Sequence, residues 1–205
     1  MSTNSPEGAH NRDGPRIRWT VFRRDLMTLC LKQMSDNPAT KADYIFVSNS
    51  EETTRKIGEL LAGLLSPPSL VGLIGPLGSG KTRFVQGLAR GCGVAEAAVI
   101  SPTFVLIHEY PGKIPVFHFD VYRLKDSEEF LELGVEEYLQ RPGICVVEWA
   151  DRVADVLPPD RLDVELSIVD SSTRRVILRP LGEHYRQVAG KMISIWHHYS
   201  GANKC

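Results

Sequence analysis

The sequence predicts an α/β fold, a mixed sheet with a parallel core, helices on both faces and an antiparallel hairpin on one flank. Three observations predict it. Two short runs, Leu70-Val-Gly-Leu-Ile74 and Ile144-Cys-Val-Val147, are apolar throughout, as strands buried on both faces are. Segments with apolar residues at helical spacing lie between and before them. Towards the C-terminus the period changes to two, with Val164, Leu166 and Ile168 inward and Asp163, Glu165 and Ser167 outward. Asp170-Ser-Ser-Thr173 then turns the chain into Arg174–Arg179, which makes an antiparallel pair.

The elements follow in order. Tyr44-Ile-Phe-Val47 reads as a short strand. Ser50 caps a helix starting at Glu51, with two acids in its first turn and Ile57, Leu60, Leu61, Leu64 and Leu65 on one side. Pro67-Pro68 stops it. After the strand Leu70–Ile74 comes a helix, Arg83–Arg90, with Phe84 and Leu88 inward and Val85 a further candidate. Gly91-Cys-Gly93 ends this helix. Val105–Tyr110 and Val116–Phe119 read as strands separated by Pro111-Gly112. Ser127–Leu139 reads as one helix with Phe130, Leu131, Val135, Tyr138 and Leu139 inward and Gly134 tolerated inside it. A last, loosely amphipathic helix is expected over Gly182–Tyr199. The organisation is then an N-terminal extension over residues 1–42, one domain over 43–181 and a C-terminal helical extension over 182–205. Met34 opens an alternative start.

Between the strand ending at Ile74 and the helix starting at Arg83 stands Gly75-Pro-Leu-Gly-Ser-Gly-Lys-Thr82, a complete G-x-x-x-x-G-K-T loop. Glycines let backbone N–H groups curl around phosphate oxygens, and the following helix N-terminus adds partial positive charge. Gly75, Leu77, Gly78, Ser79, Gly80, Lys81 and Thr82 form the expected cradle. Lys81 is expected on the β- and γ-phosphates and the Thr82 hydroxyl on Mg²⁺. The fold class narrows to a P-loop NTPase-like mixed sheet.

Asp120 ends Val116-Phe-His-Phe-Asp120, and Glu148 ends Ile144-Cys-Val-Val-Glu148. An acid directly after an apolar strand sits at the carboxyl edge of the sheet, where open α/β sheets place ligands and where the phosphate loop also lies. Both are candidate Mg²⁺ ligands and, with Lys81, candidate catalytic groups. Thr103, in Ser101-Pro-Thr-Phe104, is a candidate hydroxyl sensing phosphate or metal, with an ordinary Ser-Pro turn as the even alternative. His118 alternates with Phe117 and Phe119, so it either serves the site or faces the other side of the sheet. Tyr122-Arg123 is a candidate helper pair. Trp149 either packs on the nucleotide or caps the core, and its residue type favours the core.

Bulk properties restrict partners and location. Hydrophobic residues make up 42% of 205 positions, enough for a core. Residues 1–42 hold seven Lys/Arg against four Asp/Glu, whereas residues 43–205 hold 17 against 21. A net acidic body is a poor stand-alone nucleic-acid binder, so an RNA connection is expected to run through a protein partner. Cys30, Cys92, Cys145 and Cys205 show no C-x-x-C spacing, which argues against zinc or a disulfide framework and fits a reducing cytoplasm. No apolar stretch approaches the roughly 20 residues of a membrane helix. Arg23, Arg24 and Asp25 interrupt the candidate signal segment. The Arg-rich stretch reads as a tail, or as the result of an upstream start, in preference to a transit peptide.

The order of phosphate loop, Val99-Ile-Ser-Pro-Thr-Phe104, His118-Phe-Asp-Val-Tyr-Arg123 and Glu148-Trp149 resembles the TsaE (formerly YjeE) family, the ATPase subunit of the bacterial threonylcarbamoyladenosine tRNA-modification machinery. The similarity covers about residues 44–180. It implies a cytoplasmic ATPase using ATP and Mg²⁺. Such a protein works with a threonylcarbamoyl-transferase subunit and that subunit's inactive-paralogue partner (TsaD and TsaB type), touching tRNA only through the complex. Hydrolysis would reset that complex between turnovers. By the same resemblance Lys81 and Thr82 hold phosphate and Mg²⁺, Asp120 and Glu148 are the metal and hydrolysis carboxylates, Thr103 belongs to a switch loop and Trp149 to the nucleotide site. Arg174 or Arg175 is a candidate contact to the base. Members often carry Asp where this chain has Pro76, which lacks an N–H and removes one phosphate donor. Two other functions use the same loop: a small-molecule kinase, and a nucleotide-binding scaffold without turnover. A kinase lid is rich in arginine, but Leu124–Arg141 offers only Lys125 and Arg141 as basic residues.

Overall fold

The computed structural model describes residues 43–95, 99, 101–102 and 105–202. The extension over residues 1–42, with its alternative start at Met34, and Thr103 lie outside the described residues.

Seven strands form one sheet in the order β1-β7-β6-β2-β5-β4-β3. They are β1 (Tyr44–Ser48), β2 (Ser69–Ile74), β3 (Ile107–Tyr110), β4 (Val116–Asp120), β5 (Ile144–Glu148), β6 (Arg161–Ile168) and β7 (Arg174–Leu181). The centre, β4-β5-β2-β6, is parallel. The pairs β6–β7, β1–β7 and β3–β4 are antiparallel, so antiparallel strands stand on both sides of the parallel centre.

Helices α1 (Glu51–Ala62), α2 (Lys81–Gly91) and α5 (Glu183–Ala202) cover one face. Their apolar sides join Phe46, Val71, Leu73, Val146, Val164 and Leu178 in the larger core cluster. Helices α3 (Ser127–Glu132) and α4 (Val135–Gln140), with a 3₁₀ turn at Ala150–Val153, cover the other face over Phe117, Phe119, Cys145 and Val147. The Ser50 hydroxyl accepts from Thr53 N at 3.1 Å and caps α1, as its position before Glu51 predicts. Helices α1 and α2 cross in close contact because Gly58 and Gly87 have no side chain. A Cβ on Gly87 would overlap the Arg55 carbonyl, and one on Gly58 the Phe84 carbonyl.

Five local expectations change. The single helix expected over Ser127–Leu139 is two, because Gly134 takes a left-handed φ of 71° and starts α4 anew. With the helix broken there, Leu131 turns outward and is exposed. Ile168, expected inward, is also exposed, as the last residue of β6 before the turn to β7. Asp163, expected outward, is buried against Arg161, whose Nε donates to its carboxylate at 2.9 Å. Strand β3 begins at Ile107, not Val105, because Leu106 has a φ of 68° and leaves the extended region.

The C-terminal helix is part of the core. Tyr185, Val188, Ala189, Met192 and Trp196 form a buried stripe at helical spacing. The Tyr185 hydroxyl accepts from Leu70 N at 2.8 Å, tying the helix to the start of β2. Cys92 and Cys145 are free and buried, and burial pushes their thiols up to about 11 and about 12, so neither is a ready thiolate. No described helix is long and apolar enough to cross a membrane.

Candidate functional site

Strand β2 runs straight into the phosphate loop, and α2 starts within it at Lys81. Gly75, Gly78 and Gly80 all have positive φ, which lets the loop curl at the helix N-terminus. Gly75 lies against the Leu166 carbonyl with no room for a Cβ. Ser79 is buried, and its N–H is engaged by the Pro76 carbonyl at 3.2 Å. With Pro76 lacking an N–H, the free edge of the cradle is its later part.

Parallel pairing brings the two acids together. On β4, Val116, His118 and Asp120 point to the α2 face of the sheet. On β5, Ile144, Val146 and Glu148 do so. The register places Asp120 directly beside Glu148 and Glu148 beside Leu73 of β2. Both carboxylates are buried.

Each is held by named donors. Glu148 Oε1 accepts from Thr82 Oγ1 at 3.1 Å and lies 3.0 Å from His118 Nε2. Asp120 Oδ2 accepts from Ser101 Oγ at 3.0 Å, and Oδ1 accepts from Tyr122 N at 3.0 Å. Lys81 Nζ donates to the carbonyls of Gly75 at 2.7 Å and Pro76 at 3.1 Å. It also sits 3.6 Å from the centre of the Trp149 ring, a cation–π contact. Burial pushes the Lys81 ammonium below its ordinary range, and Glu148, Asp120 and Asp151 oppose that shift.

Trp149 has a left-handed φ of 64°, which turns its ring back over the loop as the chain leaves β5. The Tyr122 ring lies 4.9 Å from it. Arg152 donates to the carbonyls of Tyr122 and Leu124, each at 2.7 Å, and fixes the segment after Asp120.

These groups open onto one cavity of about 860 Å³, within the range of small-molecule sites. Leu77, Gly78, Gly80, Lys81, Thr82, Asp120, Glu148, Trp149 and Arg174 all line it, whereas Gly75 and Ser79 stand behind it. Arg174 Nη2 reaches the Gly78 carbonyl at 3.4 Å from the β6–β7 turn. That turn is held by Asp170 Oδ1, which accepts from Ser172 N and Thr173 N.

Sequence reasoning passed over Ser101 for Thr103, although both stood in the same stretch. It left His118 and Tyr122 undecided. The two-residue spacing of His118 and Asp120 was the available signal, since it puts both on one strand face. Asn49, Ser171 and Ser172 also line the cavity and carried no sequence signal.

A family model described as "Threonylcarbamoyl adenosine biosynthesis protein TsaE" matches residues 48–176. The chain belongs to the TsaE family. Relatives named "tRNA threonylcarbamoyladenosine biosynthesis protein TsaE" bear this out. One from Treponema pallidum (strain Nichols) is 40% identical over 130 residues, spanning 63% of this chain and 96% of that protein. Another, from Bacillus subtilis (strain 168), is 37% identical over 142 residues, 69% of this chain and 88% of that protein. A third, from Nostoc, is 38% identical over 157 residues, 74% and 93%. The crystal structure of YdiB from Bacillus subtilis superposes with a TM-score of 0.62 at 30% identity, covering 73% of this chain and 93% of that one. The TsaE match runs from the end of β1 into β7 and stops short of α5.

Proposed function

We propose that this TsaE-family chain is a Mg²⁺-dependent ATPase that serves threonylcarbamoyladenosine modification of tRNA by binding and resetting the threonylcarbamoyl-transferase complex. The observation that carries the reading is the meeting of Lys81, Thr82, Asp120 and Glu148 on one cavity at the carboxyl edge of β2, β4 and β5.

The residues fit a nucleotide. The cavity has the right volume, and the α2 N-terminus with Lys81 presents positive charge to phosphate. They also fit a metal that brings ligands with it. Among the described residues no group of three His, Cys, Asp or Glu could hold an ion alone. A hydroxyl at Thr82 and carboxylates at Asp120 and Glu148 suit Mg²⁺ completed by phosphate oxygens and water. When bound, Mg²⁺ would neutralise charge developing on the phosphates.

The chain's own part follows from the contacts. Lys81, held on Gly75 and Pro76 carbonyls and the Trp149 ring, exchanges those partners for phosphate oxygens. With Mg²⁺ bound, the Thr82 hydroxyl would help to hold it and would release Glu148. Glu148 is then placed to orient water and take its proton, while Asp120 stays fixed between Ser101 and Tyr122 N–H. Arg174 and Trp149 border the rest of the nucleotide. The acidic body, with 17 Lys/Arg against 21 Asp/Glu over residues 43–205, supports contact with tRNA only through TsaD- and TsaB-type partners.

The test is ATP turnover with Mg²⁺, alone and with the purified transferase pair plus tRNA. Strong stimulation is expected. ATP binding without stimulation would overturn the assignment in favour of a scaffold or a kinase.

A further inference from the structure

One buried polar side chain beside the cavity carries none of these roles. His118 is fully buried in the middle of β4, two residues before Asp120 and on the same strand face. Its Nε2 lies 3.0 Å from Glu148 Oε1. Its Nδ1 is buried and has no hydrogen-bond partner among the described residues.

The two ends of the ring together settle where its proton sits. A carboxylate can only accept, so the short contact to Glu148 requires the hydrogen on Nε2. A hydrogen on Nδ1 would be a buried donor with no acceptor, which is costlier than a bare lone pair there. The ring therefore donates from Nε2, and Nδ1 has no partner to hold it.

Among the described residues Glu148 Oε1 has two donors, Thr82 Oγ1 and His118 Nε2, and Oε2 has none. Under the hydrolytic reading above, Thr82 turns to Mg²⁺ when nucleotide binds. His118 is then the remaining hydrogen bond to Glu148 from the described residues, on a side chain with three rotatable bonds. We infer that His118 is the positioning residue for Glu148, fixing the carboxylate from behind through Nε2–H, much as outer-shell donors fix metal ligands. This inference rests on Glu148 acting in hydrolysis.

The test compares His118→Gln, His118→Asn and His118→Leu in the full-length chain. A glutamine amide places its N–H where Nε2 stands, whereas an asparagine amide reaches only the Nδ1 position. Mg²⁺–ATP affinity by calorimetry is expected to change little in all three. Single-turnover hydrolysis is expected to fall about tenfold or more in Asn and Leu, to be largely restored in Gln, and to leave KM unchanged. In a Glu148→Gln background His118→Leu should cost nothing further, because both act through one carboxylate. Nitrogen-15 NMR of the wild-type imidazole should show a protonated Nε2.

Wild-type turnover in His118→Leu, or equal losses in Gln and Asn, would overturn the inference. A ring with a bare Nε2 would overturn it even where a variant fails to fold. Absence of Mg²⁺-dependent turnover in the wild type would instead remove the hydrolytic reading, and the positioning role with it.

Discussion

Asp120 and Glu148 are the last residues of adjacent parallel strands and stand directly opposite each other in the β4–β5 register. Two buried carboxylates this close repel, and each needs its own donors. Ser101 and the Tyr122 N–H serve Asp120, and Thr82 and His118 serve Glu148. Unequal surroundings let neighbouring acids take unequal roles.

Replacing Glu148 with Ala is expected to leave ATP binding intact and to lower hydrolysis by about 100- to 10,000-fold, the range of a lost general base. Binding by calorimetry and turnover with the partner complex check this. Wild-type turnover would mean Glu148 has no essential role.

Lys81→Ala removes the cation at the Trp149 ring and, on the proposed reading, a phosphate ligand. ATP affinity should drop about 100-fold or more, since charge-assisted contacts to phosphate are the strong ones. Retained micromolar binding in a titration would contradict the phosphate-loop assignment.

Gly134→Ala tests the break between α3 and α4. A Cβ there meets nothing within 4 Å, so the cost is that of the left-handed backbone alone, about 1–2 kcal/mol. The urea midpoint should fall, with nucleotide affinity unchanged.

Tyr185→Phe strips the acceptor from Leu70 N and leaves a buried donor unpaired. A loss of about 1–3 kcal/mol in urea unfolding is expected. No loss would mean that α5 is held by its apolar stripe alone.

Asp170 supplies a pH signature. Backbone N–H groups of Ser172 and Thr173 hold its carboxyl below the ordinary aspartate range. The unfolded chain therefore binds this proton more readily, and stability rises with pH across the window. Its contribution is present above the ordinary aspartate range and lost as pH falls through the lowered folded value. Asp170→Ala should be destabilised at neutral pH, and its deficit against wild type should shrink in acid. A pH-independent difference in unfolding midpoints would refute this.

Local pattern made much of the site readable. The phosphate loop, the acids closing two apolar strands and the Ser50 cap are all short-range features, and each stands where its spacing put it. Conformations and contacts that depend on distant partners were not readable. An apolar helical pattern runs across Gly134, but only the cover offered by the sheet decides whether the chain continues or turns there. The loose pattern of α5 concealed a buried stripe because, besides the neighbouring β7, it packs on β1 and α1, which lie more than a hundred residues earlier.

The sequence by itself determined the phosphate loop, the parallel strands around it and the two acids at their ends, since these follow from backbone periodicity and residue chemistry within a few positions. Only the tertiary structure decided that Asp120 faces Glu148, that His118 backs Glu148 and that Trp149 lies over Lys81. Those contacts rest on inter-strand register and on one left-handed turn after β5, and both are set by packing between segments far apart in the chain.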